Sequence, residues 1–521
     1  MAKKIKISLA DLDKDGSNRI VLDSPEKIVF WIEYQLEKQQ QKAKEQQRSY
    51  LYIDLSNCVI CTDFHNQIPS MTNLNEIAGK ISCVKKVTDE KNNKYHQEVL
   101  LPFFCKNSIL YTPFFHQTKF HGDIFLDETK LVGGGSFSLC SFKGSFYGQK
   151  TDFGQCDFSF SKFHKGVIFT KAEFSGLNID FSRCTFHDEV RLNSIKISEP
   201  KIDYMTSLSF YQSVFHKSFS MNGVVLERVC TFEECQFHGN ISLNKINSNN
   251  DIFFTSTSIY KHMYVSIEEE NIKCHLKKII LTNSTLYGRI DIEGYKIDSI
   301  DMGFTKIESQ GILRFYNCKI RDLDMQSICN MGIIFFEDNK NEIKSITLQS
   351  AINVGFIEIE DTAIPEIINR KTAQLLKDSA LKSNNSIDAI KYKRLEAKAF
   401  EKEKEIQWHE KLLVLLNGCS NRHGTSWVRA LWMTACITLV FSILILCLGI
   451  ESAPPLTMHI NDIDWRIFAK TFISLLDIVN FGGSLKDLSL NIYGYYLQFF
   501  AKIFIAYGYY QFISAFRKYG R

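Results

Sequence analysis

Strong charge of either sign is missing from this chain. Its 62 Lys and Arg stand against 58 Asp and Glu, a formal net charge of +4. That balance excludes nucleic-acid binding that rests on bulk charge alone. Proline is scarce, at 8 residues. The opening MAKKIKISLADLDKDG is basic but has no apolar run behind it, so no secretory signal is expected and the soluble part is expected in the cytosol. The 15 cysteines are scattered in apolar surroundings, which argues against a disulfide framework and for buried thiols in a reducing compartment. The 13 histidines are dispersed too. Glycine-rich phosphate loops, paired CxxC motifs and a nucleophile elbow are absent. Cys58 and Cys61 make one CxxC-like spacing, and without a second pair burial explains them better than zinc. No catalytic residue, cofactor or enzymatic role is expected.

What is present is organised around residues 430–450, ALWMTACITLVFSILILCLGI, a run without a charged residue. It is long enough to cross a bilayer core, which takes about 20 apolar residues. A large body precedes it and a short aromatic segment follows.

Residues 1–112 read as a small α/β cap. Asp11, Asp13, Asp15 and Gly16 resemble the start of a calcium loop. The pattern then fails, because Asn18 stands where an apolar residue belongs and Leu22 where the closing Glu belongs. An Asp/Gly turn is the better reading, with Asp11, Asp13 and Asp15 the only metal candidates. Ser24, Pro25 and Glu26 open a helix running to about residue 47, with Ile28, Trp31, Ile32 and Leu36 on one face. Residues 50–60 read as a strand.

From about 113 to 361 a repeat appears. Phe recurs in steps of five, as in Phe115, Phe120, Phe125 and Phe153, Phe158, Phe163. A small residue recurs two places before it, as at Cys140, Cys156, Ala172, Cys184 and Cys235. Five is neither a helical nor a strand period. It fits a coil that turns a corner every five residues with one large residue per side pointing inward. The stretch CDFSFSKFHKGVIFTKAEFSGLNIDFSRCTF resembles the pentapeptide-repeat family, which implies a right-handed quadrilateral β-helix. Coils of about 20 residues stacked at about 4.8 Å predict a rod of roughly 60 Å with nearly one-dimensional stability. The mixed Lys, His, Asp and Glu of this stretch differ from the acidic rods of DNA-mimicking members of the family. After about residue 240 the pattern gives way to Ile- and Leu-rich pieces, with loops expected to leave the stack.

Residues 362–425 read as a helical connector in two helices. Trp408 and the leucines after it make an amphipathic stretch suited to a membrane surface. Trp408, Arg422 and Arg429 are the candidate coupling residues between soluble body and membrane. Residues 426–521 carry a first span at about 430–450, a short helix at about 464–478 expected to be re-entrant, and a second span at about 488–516. Basic residues at both outer flanks predict both chain ends in the cytosol. Span, short helix, glycine-containing loop and span resemble the two-transmembrane pore module of tetrameric cation channels. The loop does not match the potassium filter Thr-Val-Gly-Tyr-Gly, so potassium selectivity is not implied. The expected pore-lining residues are Asn480, Gly482, Gly483, Gln498 and Lys502. A lysine in mid-span normally faces a bundle interior or water.

The expected fold class is therefore a mostly β soluble body (a right-handed pentapeptide-repeat β-helix), a helical connector and an all-α membrane module. The expected function is a homotetrameric ion channel of a bacterial inner membrane, gated by the cytosolic β-helix. The layout resembles membrane effectors of bacterial antiphage defence, which implies a nucleotide or single-stranded oligonucleotide as ligand. The alternative is a membrane-anchored β-helical scaffold that binds partner proteins.

Overall fold

The computed structural model describes residues 7–46, 51–61, 84–86, 97–176, 178–197, 207–267, 274–337, 342–360, 362, 364, 366–367, 369–401, 407–422, 426–450, 465–477, 485 and 489–516. The chain divides into two compact units, Met1–Glu366 and Ile367–Arg521.

The first unit is a parallel β-solenoid. Most of its strands are two or three residues long, and apart from Val84–Lys86, which runs antiparallel to Gln97–Val99, they pair in parallel with strands of neighbouring coils. The longest ladders hold 13 or 14 strands, which at about 4.8 Å per strand makes a stack close to 60 Å. Coils take 21 to 29 residues, longer than the expected 20. Phe120, Phe142, Phe163, Phe186, Phe215 and Phe237 stand in register on one face. Their rings stack at 4.6 to 5.3 Å between centroids. A second column runs Phe115, Phe137, Phe158, Phe181, Phe210, Phe232, Phe254. The five-residue step is thus the distance between two inward columns around one corner. Offset-stacked rings add about 0.5–1.5 kcal/mol per pair to their burial.

Corners are turned by residues at positive φ, such as Leu139 (56°), Phe160 (59°) and Arg183 (58°). Side chains rarely adopt this conformation and it costs on the order of 1–2 kcal/mol per residue. Carboxylates lower the cost by forming the turn first: Asp157 and Asp180 accept from the N–H of Ser159 and Ser182, both at 2.8 Å.

Three expectations for this unit are corrected. Residues 1–112 are not a separate α/β cap. Ile20–Leu22 pairs in parallel with Cys58–Ile60, which pairs with Ile109–Tyr111, so the solenoid starts near residue 20. Helix α1 (Pro25–Gln46) is an excursion from the first coil, held by buried Ile28, Ile32 and Leu36. The run 50–60 is not one strand but a corner between Ile53–Asp54 and Cys58–Ile60, with Asn57 at φ 56°. The solenoid is also not four-sided throughout. Asn247–Phe253 pairs with Val225–Leu226 at its start and with Val229–Thr231 at its end, fusing two faces into one strand. Beyond it the strands of that face are six residues long, as in Lys296–Asp301 and Lys319–Asp324. A six-residue strand has no corner at its middle, so the five-residue rhythm disappears there.

The calcium-loop carboxylates go to separate partners. Asp11 accepts from the Ser8 backbone and hydroxyl, Asp13 pairs with Lys27, and Asp15 holds the Ser17 and Arg19 amides. They form a turn, and no metal-competent group occurs among the described residues.

The second unit is helical. Helices α2 (Arg370–Lys382) and α3 (Ser386–Glu401) form a hairpin tied by Lys377 to Glu396 at 2.7 Å. α4 (Trp408–Asn421) is separate from α3, because Gln407 caps it in extended backbone where one continuous helix was expected. α5 (Trp427–Leu444) continues as a π-turn to Gly449, and α6 (Trp465–Leu476) and α7 (Ile492–Phe516) follow. Among the described residues, Trp427–Gly449 is the one helix long and apolar enough to cross a membrane. α7 has 25 residues, with Gln498, Lys502, Gln511 and several tyrosines among them.

Candidate functional site

The polar residues of the second unit gather on the inner face of α7. Gly494, Gln498, Ala501, Lys502, Ile505, Gly508, Gln511 and Ala515 are buried there. The facing side of α5 is equally small, with Ala430, Thr434, Thr438 and Ser442 buried. Each of those hydroxyls donates to the carbonyl four residues earlier, at 2.7 to 2.8 Å, so none needs a partner across the interface. Glycine sets the approach: a Cβ on Gly494 would stand 2.4 Å from the Gly449 carbonyl oxygen. At Gly508 it would stand 2.3 Å from the Thr434 hydroxyl oxygen. Small-residue contacts of this kind bring helices together where apolar burial gives little drive.

α6 completes the site. Leu475 packs with Ala501 and Ile505 in one buried cluster. The Lys502 ammonium donates to the Asp477 carbonyl at 3.0 Å, and the Tyr509 hydroxyl to the Leu476 carbonyl at 3.4 Å. Lys502 is fully enclosed. A cation at the carboxyl end of a helix meets unsatisfied carbonyls and the negative end of the dipole. The lysine therefore holds the end of α6 against the middle of α7.

Nearer the end of α7 lies a network that the sequence reading missed. Asn417 of α4 accepts from Gln511 Nε2 at 2.7 Å and from the Tyr507 hydroxyl at 3.1 Å. Asn421 donates to the Gln511 side-chain and backbone oxygens. Only the polarity of Asn417 and Asn421 in an amphipathic helix hinted at it.

The expected site residues are placed as follows. Gln498 and Lys502 are brought together, but on an enclosed face. Both side chains are already buried within one chain. Asn480, Gly482 and Gly483 lie outside the described residues. Trp408 is the exposed first residue of α4, Arg422 is its left-handed cap and Arg429 lies in the first turn of α5. The outer faces of α5 and α7 are apolar and aromatic, with Trp432, Val440, Tyr496, Phe500 and Phe516 each at least half exposed.

The solenoid has an inner polar feature that the sequence displayed only as small residues. At one corner Cys140, Ser161, Cys184, Ser213 and Cys235 stack coil upon coil. Ser161 donates to the Phe137 carbonyl at 2.7 Å and accepts from the Cys140 amide at 2.9 Å. Cys184 donates to the Phe158 carbonyl at 3.0 Å, and Ser213 repeats the arrangement. Burial pushes the thiols up, Cys58 and Cys235 to about 12. They are packing and hydrogen-bonding groups, not nucleophiles.

Fold and site define a β-solenoid protein with a helical carboxyl-terminal unit that carries one membrane-competent helix. Residues 149–195 match the model of pentapeptide repeats in nine copies, and the solenoid's paired phenylalanine columns are the structural counterpart of that match. No curated protein and no solved structure matches the chain.

Proposed function

We propose that residues 426–521 form the pore module of a homo-oligomeric ion channel, with the β-solenoid as its cytosolic sensor. The observation that carries this reading is the end of α6 at mid-depth of α7. α6 has 12 residues, about 18 Å, too short for an apolar core of about 30 Å. Lys502 is about 15 Å along α7, so a helix that stops there leaves backbone carbonyls deep in apolar surroundings. A buried lysine that satisfies them is costly, about 2.5–3.5 kcal/mol by insertion scales. A plain two-helix anchor has no use for it, whereas a re-entrant helix supporting a conducting loop does. In this reading α5 and α7 both span the bacterial inner membrane, chain ends in the cytosol. The segment after α6 lines the pore, and Lys502 supports that segment from behind. The homotetramer and the nucleotide or oligonucleotide signal of an antiphage effector rest on resemblance of layout.

A membrane-anchored scaffold is the second reading, favoured by the enclosure of Gln498 and Lys502 within one chain. Planar-bilayer recording separates the two. Discrete conductance is expected from the wild type, retention with Lys502→Arg and collapse with Lys502→Met. Silence of the purified protein under every ligand condition, cell extracts included, would leave the scaffold standing.

A further inference from the structure

One outward column of the solenoid has no counterpart in the sequence reading, which found the histidines dispersed. The residue after each inward Phe of one face, or after Ile259 and Leu286 in register with them, points to solvent. Over successive coils this position holds His164, His187, His216, His238, Tyr260 and Tyr287. Their rings stack with centroids 5.0, 5.0, 5.6, 4.6 and 4.7 Å apart and planes within 19° of parallel. Stacked in this way, the rings present their edges to solvent, one polar edge per coil.

The strip is flanked by cations. Lys143 donates to His164 Nε2 at 2.9 Å, and Ser141 lies 3.4 Å from the same nitrogen. Lys162, on the strand that leads to His164, is exposed, and so is Lys261, which follows Tyr260 at the next corner. Asp188, the acid beside His187, is engaged by Lys217 at 3.0 Å. Burial first, then the charge of Lys143 and neighbouring His187, holds His164 below the usual histidine range. His187 is held low by burial, His216, Lys162 and Lys143. His164 and His187 are therefore largely uncharged near neutrality and gain charge as pH falls. At its far end Tyr260 and Tyr287 are 37% and 40% exposed, and one coil on the same position holds Glu308, which is paired with Lys306.

We infer that this His/Tyr column is a binding strip for a short single-stranded oligonucleotide, its phosphates along the histidine edges and its bases on the aromatic end. A straight row of donors repeated at every coil matches a ligand with a straight row of anions, not a compact one. Flanking lysines supply the charge complementarity, and exposed rings supply the sequence-tolerant stacking found in single-strand binders. The strip stands independently of the pore reading, because binding is read without conductance.

The test uses the full chain in detergent with a fluorescent oligothymidylate, followed by anisotropy. Affinity should rise at least about tenfold from about pH 8 to about pH 5.5 and fall steeply with salt. His187→Ala with His216→Ala should at least halve the gain in affinity between those two pH values, and Lys143→Glu with Lys162→Glu should weaken binding at least about tenfold at every pH. All four side chains lie on the outer surface, and His187→Gln with His216→Gln, which keeps N–H donors, serves as the folding control. No binding by the wild type, or unchanged binding in both double variants, overturns the inference. Equal affinity for inorganic polyphosphate overturns the assignment of the aromatic end, and equal affinity for polyglutamate overturns the phosphate chemistry.

Discussion

Replacing Ser161 by alanine should loosen the solenoid out of proportion to the single oxygen removed. Ser161 is fully buried, and its hydroxyl serves both the Phe137 carbonyl and the Cys140 amide. Removal leaves two buried backbone groups without a partner, at about 1–3 kcal/mol each. With some relaxation the cost is about 2–4 kcal/mol, whereas the small void adds well under 1 kcal/mol. Ser161→Cys should cost less than about 1 kcal/mol, because Cys140 and Cys184 fill the same position with a thiol donor. Ser161→Val fills the space without a donor and should behave like alanine. Hydrogen exchange of the full chain, read on peptides covering residues 137–163, is the assay. Local opening should increase at least about thirtyfold in the alanine and valine variants. Unchanged exchange in Ser161→Ala, or equal loss in Ser161→Cys, would refute the hydrogen-bond account of the column.

Phe158→Ala, in the middle of the second ring column, should cost about 3–5 kcal/mol and Phe158→Leu less than about 1.5 kcal/mol; exchange protection should fall in the coils on both sides while the solenoid ends are spared. Gly494→Val should separate α5 from α7, because its side chain would overlap the Gly449 backbone; a disulfide engineered between the two helices should then form more slowly than in the parent. In maleimide labelling near pH 8, exposed Cys419 should react while Cys140, Cys184 and Cys235 remain inert until the chain unfolds, since burial keeps those thiols protonated well above that pH. Rapid labelling of Cys235 in the folded protein would contradict its place in the core.

The phenylalanine step of five was legible because it is local: each corner requires one large inward residue, so composition and spacing carry the coil. The membrane-competent run was legible for the same reason, since length and lack of charge are properties of a segment. The start of the solenoid was not legible. Ile20–Leu22 and Cys58–Ile60 belong to the stack through parallel pairing across α1, and three-residue strands have no signature of their own. The loss of a side at Asn247–Phe253 was visible only as a fading pattern, because the merging of two faces is a matter of register between coils.

The same division applies to the candidate sites. Lys502 stood out as a charge in an apolar helix, and the sequence alone marked it as enclosed or water-facing. Only the packing of α5 and α6 decided that it is enclosed, and that its partner is a backbone carbonyl, a group every residue carries. The histidine column was dispersed in sequence, one residue every 22 to 29 positions. Coil length alone converts that spacing into ring contact near 5 Å. What the sequence determined by itself was the repeat and the apolar helix, both written in neighbouring residues. What only the tertiary structure decided was which distant residues share a column or a buried face, because those contacts depend on coil length and helix approach.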